Sequence, residues 1–150
     1  MTVPGWLDEL TTIVVIVVLV YLVTLLVRRA ILSLRGGLFD CALRPLGGKK
    51  WRLGLARYSG ELLEWYQVWH PLPRPSRVFV RENCELAGLR DSDPSESKLG
   101  YATARIIDLR VGDTPPAQFQ LALNEGSAMG LVSWLESAPP GRVGYRRSML

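Results

Sequence analysis

Between Glu9 and Arg28 the chain carries no charged side chain. The uncharged stretch from Leu10 to Val27 is 18 residues long. As a helix it extends about 27 Å, at ~1.5 Å per residue, against a hydrocarbon core of about 30 Å. From Ile13 to Val27 every residue is Ile, Val or Leu except Tyr21 and Thr24. At roughly −0.3 to −0.6 kcal/mol each, these side chains favour insertion by on the order of −4 to −8 kcal/mol as an upper bound. Runs of Val and Ile favour strand in water. In lipid an isolated strand leaves its backbone groups unpaired, so the stretch is expected to be a single transmembrane helix. A cleaved signal peptide fits less well. Asp8 and Glu9 precede the apolar run with no Lys or Arg, and Arg28, Arg29, Ala30, Ile31 and Leu32 follow it where a small-x-small site would stand.

Charge predicts the orientation. Residues 1–9 carry a side-chain charge of −2, and all 18 Lys and Arg residues lie beyond the apolar stretch. The positive-inside rule then puts a short N-terminus (1–9) outside and the rest in the cytoplasm, at the plasma (inner) membrane. Trp6 suits the outer interface, and Arg28 and Arg29 are expected to snorkel at the inner one. Residues 28–57 carry +7, whereas residues 58–150 carry −1. The excess positive charge is therefore a collar beside the inner leaflet, where each basic residue gains about 1 kcal/mol from anionic lipid. The same charges also serve simply as the topology signal. In the reducing cytosol Cys41 and Cys84 are expected to be free thiols.

The transmembrane helix and its cytoplasmic extension are expected over 10–35, stopped by Gly36 and Gly37. Residues 36–50 read as a basic linker, and 51–138 as a mainly-β domain. Alternating apolar residues predict strands from Trp51, over 62–69, 77–81, 84–89, 102–111 and 118–123. Tyr58-Ser59-Gly60-Glu61 is a hairpin turn, and His70 to Pro75 is irregular because three prolines cannot donate to a ladder. Ala128, Leu131, Val132 and Leu135 then fall on one stripe of a helix, with Asn124 as N-cap and Pro139-Pro140 as stop. The tail, 139–150, reads as basic and disordered. An antiparallel curved sheet or barrel closed by one C-terminal amphipathic helix is the arrangement of pleckstrin-homology-like and GRAM-like domains. That fold has seven strands and the pattern here yields six; a merged pair within 102–111 would account for the difference.

Lys50-Trp51-Arg52-Leu53-Gly54, Arg57-Tyr58-Ser59-Gly60, Phe119 to Leu123 and the Leu131-Val132-Ser133-Trp134-Leu135-Glu136-Ser137 helix together resemble an uncharacterised actinobacterial family of short single-span membrane proteins, a domain of unknown function. The resemblance covers the whole layout. It brings no known catalytic or binding residues, and it implies a setting near ATP synthase genes, hence a membrane-energetics context.

Enzyme chemistry finds little material. The single histidine, His70, has no clustered ligands or nucleophile beside it, so neither a metal site nor a cofactor is expected. Asp91-Ser92-Asp93-Pro94-Ser95-Glu96 lacks the central Gly and distant Glu of a calcium loop and reads as a solvated acidic loop. No phosphate-cradling glycine motif occurs. Trp51, Trp65, Tyr66 and Trp69 read as core aromatics rather than base-stacking platforms, so no nucleic-acid partner is expected. Arg28, Arg29, Lys49, Lys50, Arg52, Arg77 and Arg81 are the candidate lipid-binding residues, with Arg90 near them. The expected function is a non-enzymatic, membrane-tethered cytoplasmic binding or adaptor module. The alternatives are an accessory or assembly subunit of a membrane complex, and an anionic-lipid-binding domain. The partners are the bilayer and an integral or peripheral membrane protein.

Overall fold

The computed structural model describes residues 5–96, 104–112 and 117–137. The chain opens with helix α1, Gly5–Leu34, which is long and apolar enough to cross a membrane. Its apolar side chains are exposed from Gly5 through Thr24. The stop predicted at Gly36 and Gly37 is present: both take positive φ, 75° and 68°, in the left-handed region that glycine enters without a Cβ clash.

Eight strands follow among the described residues. They are β1 (Leu38–Asp40), β2 (Ala42–Pro45), β3 (Gly54–Ser59), β4 (Leu62–Gln67), β5 (Arg77–Val80), β6 (Cys84–Asp91), β7 (Ala104–Val111) and β8 (Ala117–Asn124). They form two four-stranded antiparallel sheets, β1-β3-β4-β5 and β2-β8-β7-β6. Helix α2, Glu125–Glu136, ends the described chain.

The extra strands lie where a linker was expected. Residues 38–45 are structured: β1 pairs with β3, the chain turns at Cys41, and β2 pairs with β8. One short segment thus contributes an edge strand to each sheet. Residues 104–111 are a single strand, so no merged pair hides there. The strand expected from Trp51 begins at Gly54, with Arg52 making only an isolated bridge to Leu43. The hairpin at Gly60 is where the sequence put it, with Ser59 paired to Leu62.

Side-chain alternation explains the core. Phe119, Leu121 and Leu123 of β8 and Ile107 and Leu109 of β7 point inward to meet Ala56, Leu63, Trp65 and Phe79 of the other sheet. Phe79 and Phe119 meet edge-on, with centroids 5.4 Å apart. The corner at Cys41 is tied to this core, because Trp65 Nε1 donates to the Cys41 carbonyl at 3.0 Å. A Cβ on Gly54 would lie 2.4 Å from that indole, so the Trp-Arg-x-Gly strand needs glycine for close packing.

Helix α2 closes one end. Asn124 caps it, accepting from the Ser127 amide at 2.8 Å. Ala128 and Leu131 of the expected stripe are fully buried, and Val132 and Leu135 are half-buried. Trp134 Nε1 donates to the Gly60 carbonyl at 3.1 Å and its ring lies 5.5 Å from that of Tyr58. The helix therefore rests on the β3–β4 hairpin. Pro139-Pro140 and the tail lie outside the described residues.

Candidate functional site at the helix–domain junction

The last turns of α1 lie against the outer face of the first sheet. Leu32 is buried with Leu55 of β3 and Tyr66 of β4. Arg28, one turn earlier, is only 5 % exposed. Its Nη1 donates to the carbonyls of Gln67 at 3.0 Å and Val68 at 3.3 Å, and its guanidinium lies 5.9 Å from the centre of the Tyr66 ring. Arg28 does not extend freely along the helix, as snorkelling would have it: its Nη1 is held by backbone acceptors at the end of β4. Nε and Nη2 of Arg28 are shielded and have no hydrogen-bond partner among the described residues. Earlier on α1, the Tyr21 hydroxyl donates to the Trp69 carbonyl at 2.6 Å.

Beside these contacts lies a pocket of about 330 Å³. Leu22, Leu25, Leu26 and Leu32 of α1 wall one side, Leu55 and Val68 the other, and Arg28, Arg29 and Asp40 supply its charge. Arg29, adjacent to Arg28, is exposed.

The other candidate residues do not converge there. Lys49, Lys50 and Arg52 are exposed on the β2–β3 connection. Arg77 begins β5 with its guanidinium 4.9 Å from the Phe119 ring centre. Arg81 lies just past the other end of β5. It donates to Ser137 Oγ at 3.0 Å and pairs with Glu61, fastening the end of α2. Arg81 is thus a structural clamp, at the end of the strand opposite Arg77.

One network escaped the sequence reading. Arg44 stands on the outer face of the second sheet, 4.2 Å from the Trp51 ring centre, and donates to Gln120 Oε1 at 2.9 Å. It also meets Glu96 at 3.2 Å. Arg90 grips both Glu96 oxygens, at 2.9 and 3.0 Å, and the Asp93 amide donates to the same carboxylate. The acidic loop is therefore not simply solvated: Glu96 is 9 % exposed and staples the loop to the sheet. Hydrogen bonding from Arg90, aided by the Asp93 amide and by Arg44, outweighs burial and lowers the Glu96 pKa to about 2. No residue-type signal marks this site, because its members are 76 positions apart in the case of Arg44 and Gln120.

The aromatic residues divide. Trp65 and Tyr66 are buried, Trp51 is half-buried under Arg44, and Trp69 is 62 % exposed. Both cysteines are free, as expected. Burial raises both thiols, Cys84 to about 11. His70 is exposed. Among the described residues no group of three or more His, Cys, Asp and Glu is placed to hold a metal ion.

Comparison with known proteins agrees with the layout. An uncharacterized protein of Mycobacterium leprae (strain TN) is 32% identical over 107 residues, 69% of this chain and 71% of the relative. An uncharacterized protein of Mycobacterium tuberculosis (strain CDC 1551 / Oshkosh) is 30% identical over 142 residues, 91% of this chain and 95% of the relative. Residues 15–141 match the family described as "Protein of unknown function (DUF2550)", a match that takes in the apolar helix from Val15 onward, the junction and both sheets. The chain belongs to the DUF2550 family.

Proposed function

We propose that this chain is a single-span protein of the plasma (inner) membrane, with its N-terminus outside and its β domain in the cytoplasm, acting as a non-enzymatic binding module. The observation that carries this reading is the Arg28 clamp. The uncovered apolar stretch of α1 runs directly into a segment fastened to β4 by Arg28 and Leu32. The domain is thus held at a defined place beside the bilayer, which raises its effective concentration toward targets in the same membrane. The pleckstrin-homology-like arrangement belongs to this proposal, supported by two antiparallel sheets closed by α2. Among the described residues there are eight strands where that fold has seven.

A second reading, an accessory or assembly subunit of a membrane complex, draws support from exposed apolar residues on two edge strands. Val78 and Val80 of β5 and Leu86 and Leu89 of β6 are 36 to 47 % exposed. Of the candidate basic residues, Arg29, Lys49, Lys50, Arg52 and Arg77 are exposed for contact with anionic headgroups.

Alkaline carbonate extraction and C-terminal reporter fusions test the topology. The protein should stay in the membrane pellet, a green fluorescent fusion should be bright and a phosphatase fusion inactive; the reverse pattern overturns the orientation. Affinity purification in mild detergent then separates the two roles, since an obligate subunit brings down a stoichiometric partner and a free-standing module does not.

A further inference from the structure

We infer that the junction pocket is a phospholipid site, taking the phosphodiester of a bilayer lipid at Arg28 and Arg29 and the upper part of one acyl chain along α1. This deepens the proposed function and rests on its reading of α1 as a membrane span. Three observations converge. The pocket, at about 330 Å³, falls within the roughly 300–1,000 Å³ of small-molecule sites. Its walls are split between an apolar surface from Leu22, Leu25 and Leu26, continuous with the uncovered face of α1, and a charged end. That end holds a guanidinium with two shielded N–H-bearing nitrogens, Nε and Nη2, that find no acceptor among the described residues.

A buried guanidinium short of acceptors is costly, and an anion is the group that relieves it. Nη1 is already committed to the Gln67 and Val68 carbonyls, so Arg28 is held in place while its other edge is unsatisfied. Arg28 itself lines the pocket, so an anion seated there is the acceptor within its reach. Arg29 adds a second cation at the pocket and Asp40 one carboxylate. The lining therefore nets one positive charge, which matches a singly charged phosphodiester better than a polyphosphorylated headgroup. The location favours a lipid over free phosphate. The pocket begins where the apolar stretch ends, at the depth where a lipid's phosphate and first methylenes sit.

The test uses the full-length protein in mild detergent, titrated with dioctanoyl phosphatidylglycerol and followed by native mass spectrometry. Carbonate extraction of the same membranes is run first, so that failure of the span reading is seen separately from failure of the pocket. A 1:1 adduct is expected, weakened about tenfold or more by Arg29→Gln, which removes a charge-assisted contact, and by Leu25→Trp, which fills the cavity. Should Leu25→Trp not fold, Leu22→Trp at the exposed rim fills the same space. Dioctanoylglycerol, which lacks the phosphate, should bind about tenfold more weakly or not at all. Equal adducts in wild type and the Trp variant would mean annular lipid only, and overturn the site. Displacement of the lipid by an equal concentration of inorganic phosphate, or equal binding of the neutral diacylglycerol, would also overturn it.

Discussion

The hydroxyl of Tyr21 donates a 2.6 Å hydrogen bond to the carbonyl oxygen of Trp69. Tyr21 lies seven residues before Arg28, about 10 Å along the helix at ~1.5 Å per residue. The bond therefore holds the β4–β5 loop beside the apolar stretch of α1, with Trp69 62 % and Leu72 53 % exposed. If α1 spans the bilayer, this loop meets its interface, where tryptophan is favoured. In reconstituted vesicles, lipids brominated near the headgroup should quench tryptophan emission less in Trp69→Phe than in wild type. Unchanged quenching would separate the loop from the bilayer.

Arg28 and Arg29 should differ sharply on replacement. Arg28→Ala removes charged donors from two carbonyls, and hydrogen bonds to charged groups contribute about 1.5–3 kcal/mol each. Loosening of the helix from the first sheet should follow, seen as faster amide exchange at Gln67 and Val68 and a lower Tm. Arg29→Ala, at an exposed position, should leave both within error. Equal effects would show that the clamp does not hold the junction.

Two glycine replacements should move stability in opposite directions. Gly54→Ala forces a Cβ to 2.4 Å from the Trp65 indole, and overpacking of this kind costs about 1–3 kcal/mol or more. Gly130→Ala, inside α2, places its Cβ 3.8 Å from the Tyr58 hydroxyl, an ordinary contact. There the gain in helix propensity should stabilise by roughly 0.5–1 kcal/mol. Urea unfolding midpoints measure both.

Acid should release the Glu96 staple. Its pKa is lowered from 4.5 to about 2 in the folded protein, so its contribution is present above pH 4.5 and lost as pH falls toward 2. The loss should be about 1–2 kcal/mol, reduced by solvent at the partly exposed Arg90. In Glu96→Gln that part of the pH dependence should vanish, and Tm at neutral pH should fall. A wild-type slope retained by the variant would assign the acid sensitivity to other carboxylates.

Neither cysteine should react readily. Burial holds Cys84 at about 11 and raises Cys41 further, so both stay protonated at pH 8. Alkylation of the folded protein should be far slower than of a free thiol and should accelerate in denaturant. Rapid labelling of Cys84 in native protein would contradict its half-buried placement.

The elements read well from sequence are those whose signals are local. Helix α2 announced itself by Asn124, a four-residue apolar stripe and its spacing, all within one stretch of chain. The β3–β4 hairpin did so through Ser59 and Gly60. Strands β1 and β2 gave no comparable signal. They are three and four residues long, and they are strands only because partners far along the chain, such as Ala122 opposite Ala42, complete their hydrogen bonds. Arg44 and Glu96 escaped for the same reason: nothing near either residue foretells that a sheet brings them together.

The basic collar shows the division most clearly. An uncharged run of 18 residues followed by Arg28 and Arg29 is enough to specify a helix long enough to cross a membrane, because hydropathy and length act without regard to partners. Which arginine serves the fold is another matter. Neighbours on a helix point about 100° apart, so only one can face a surface docked on one side. Packing of Leu32 against Leu55 and Tyr66 sets that side, turning Arg28 inward to the Gln67 and Val68 carbonyls and leaving Arg29 exposed. The order of residues determined that positive charge gathers at the end of the helix; tertiary contact alone decided which charge is buried as a clamp and which stays exposed.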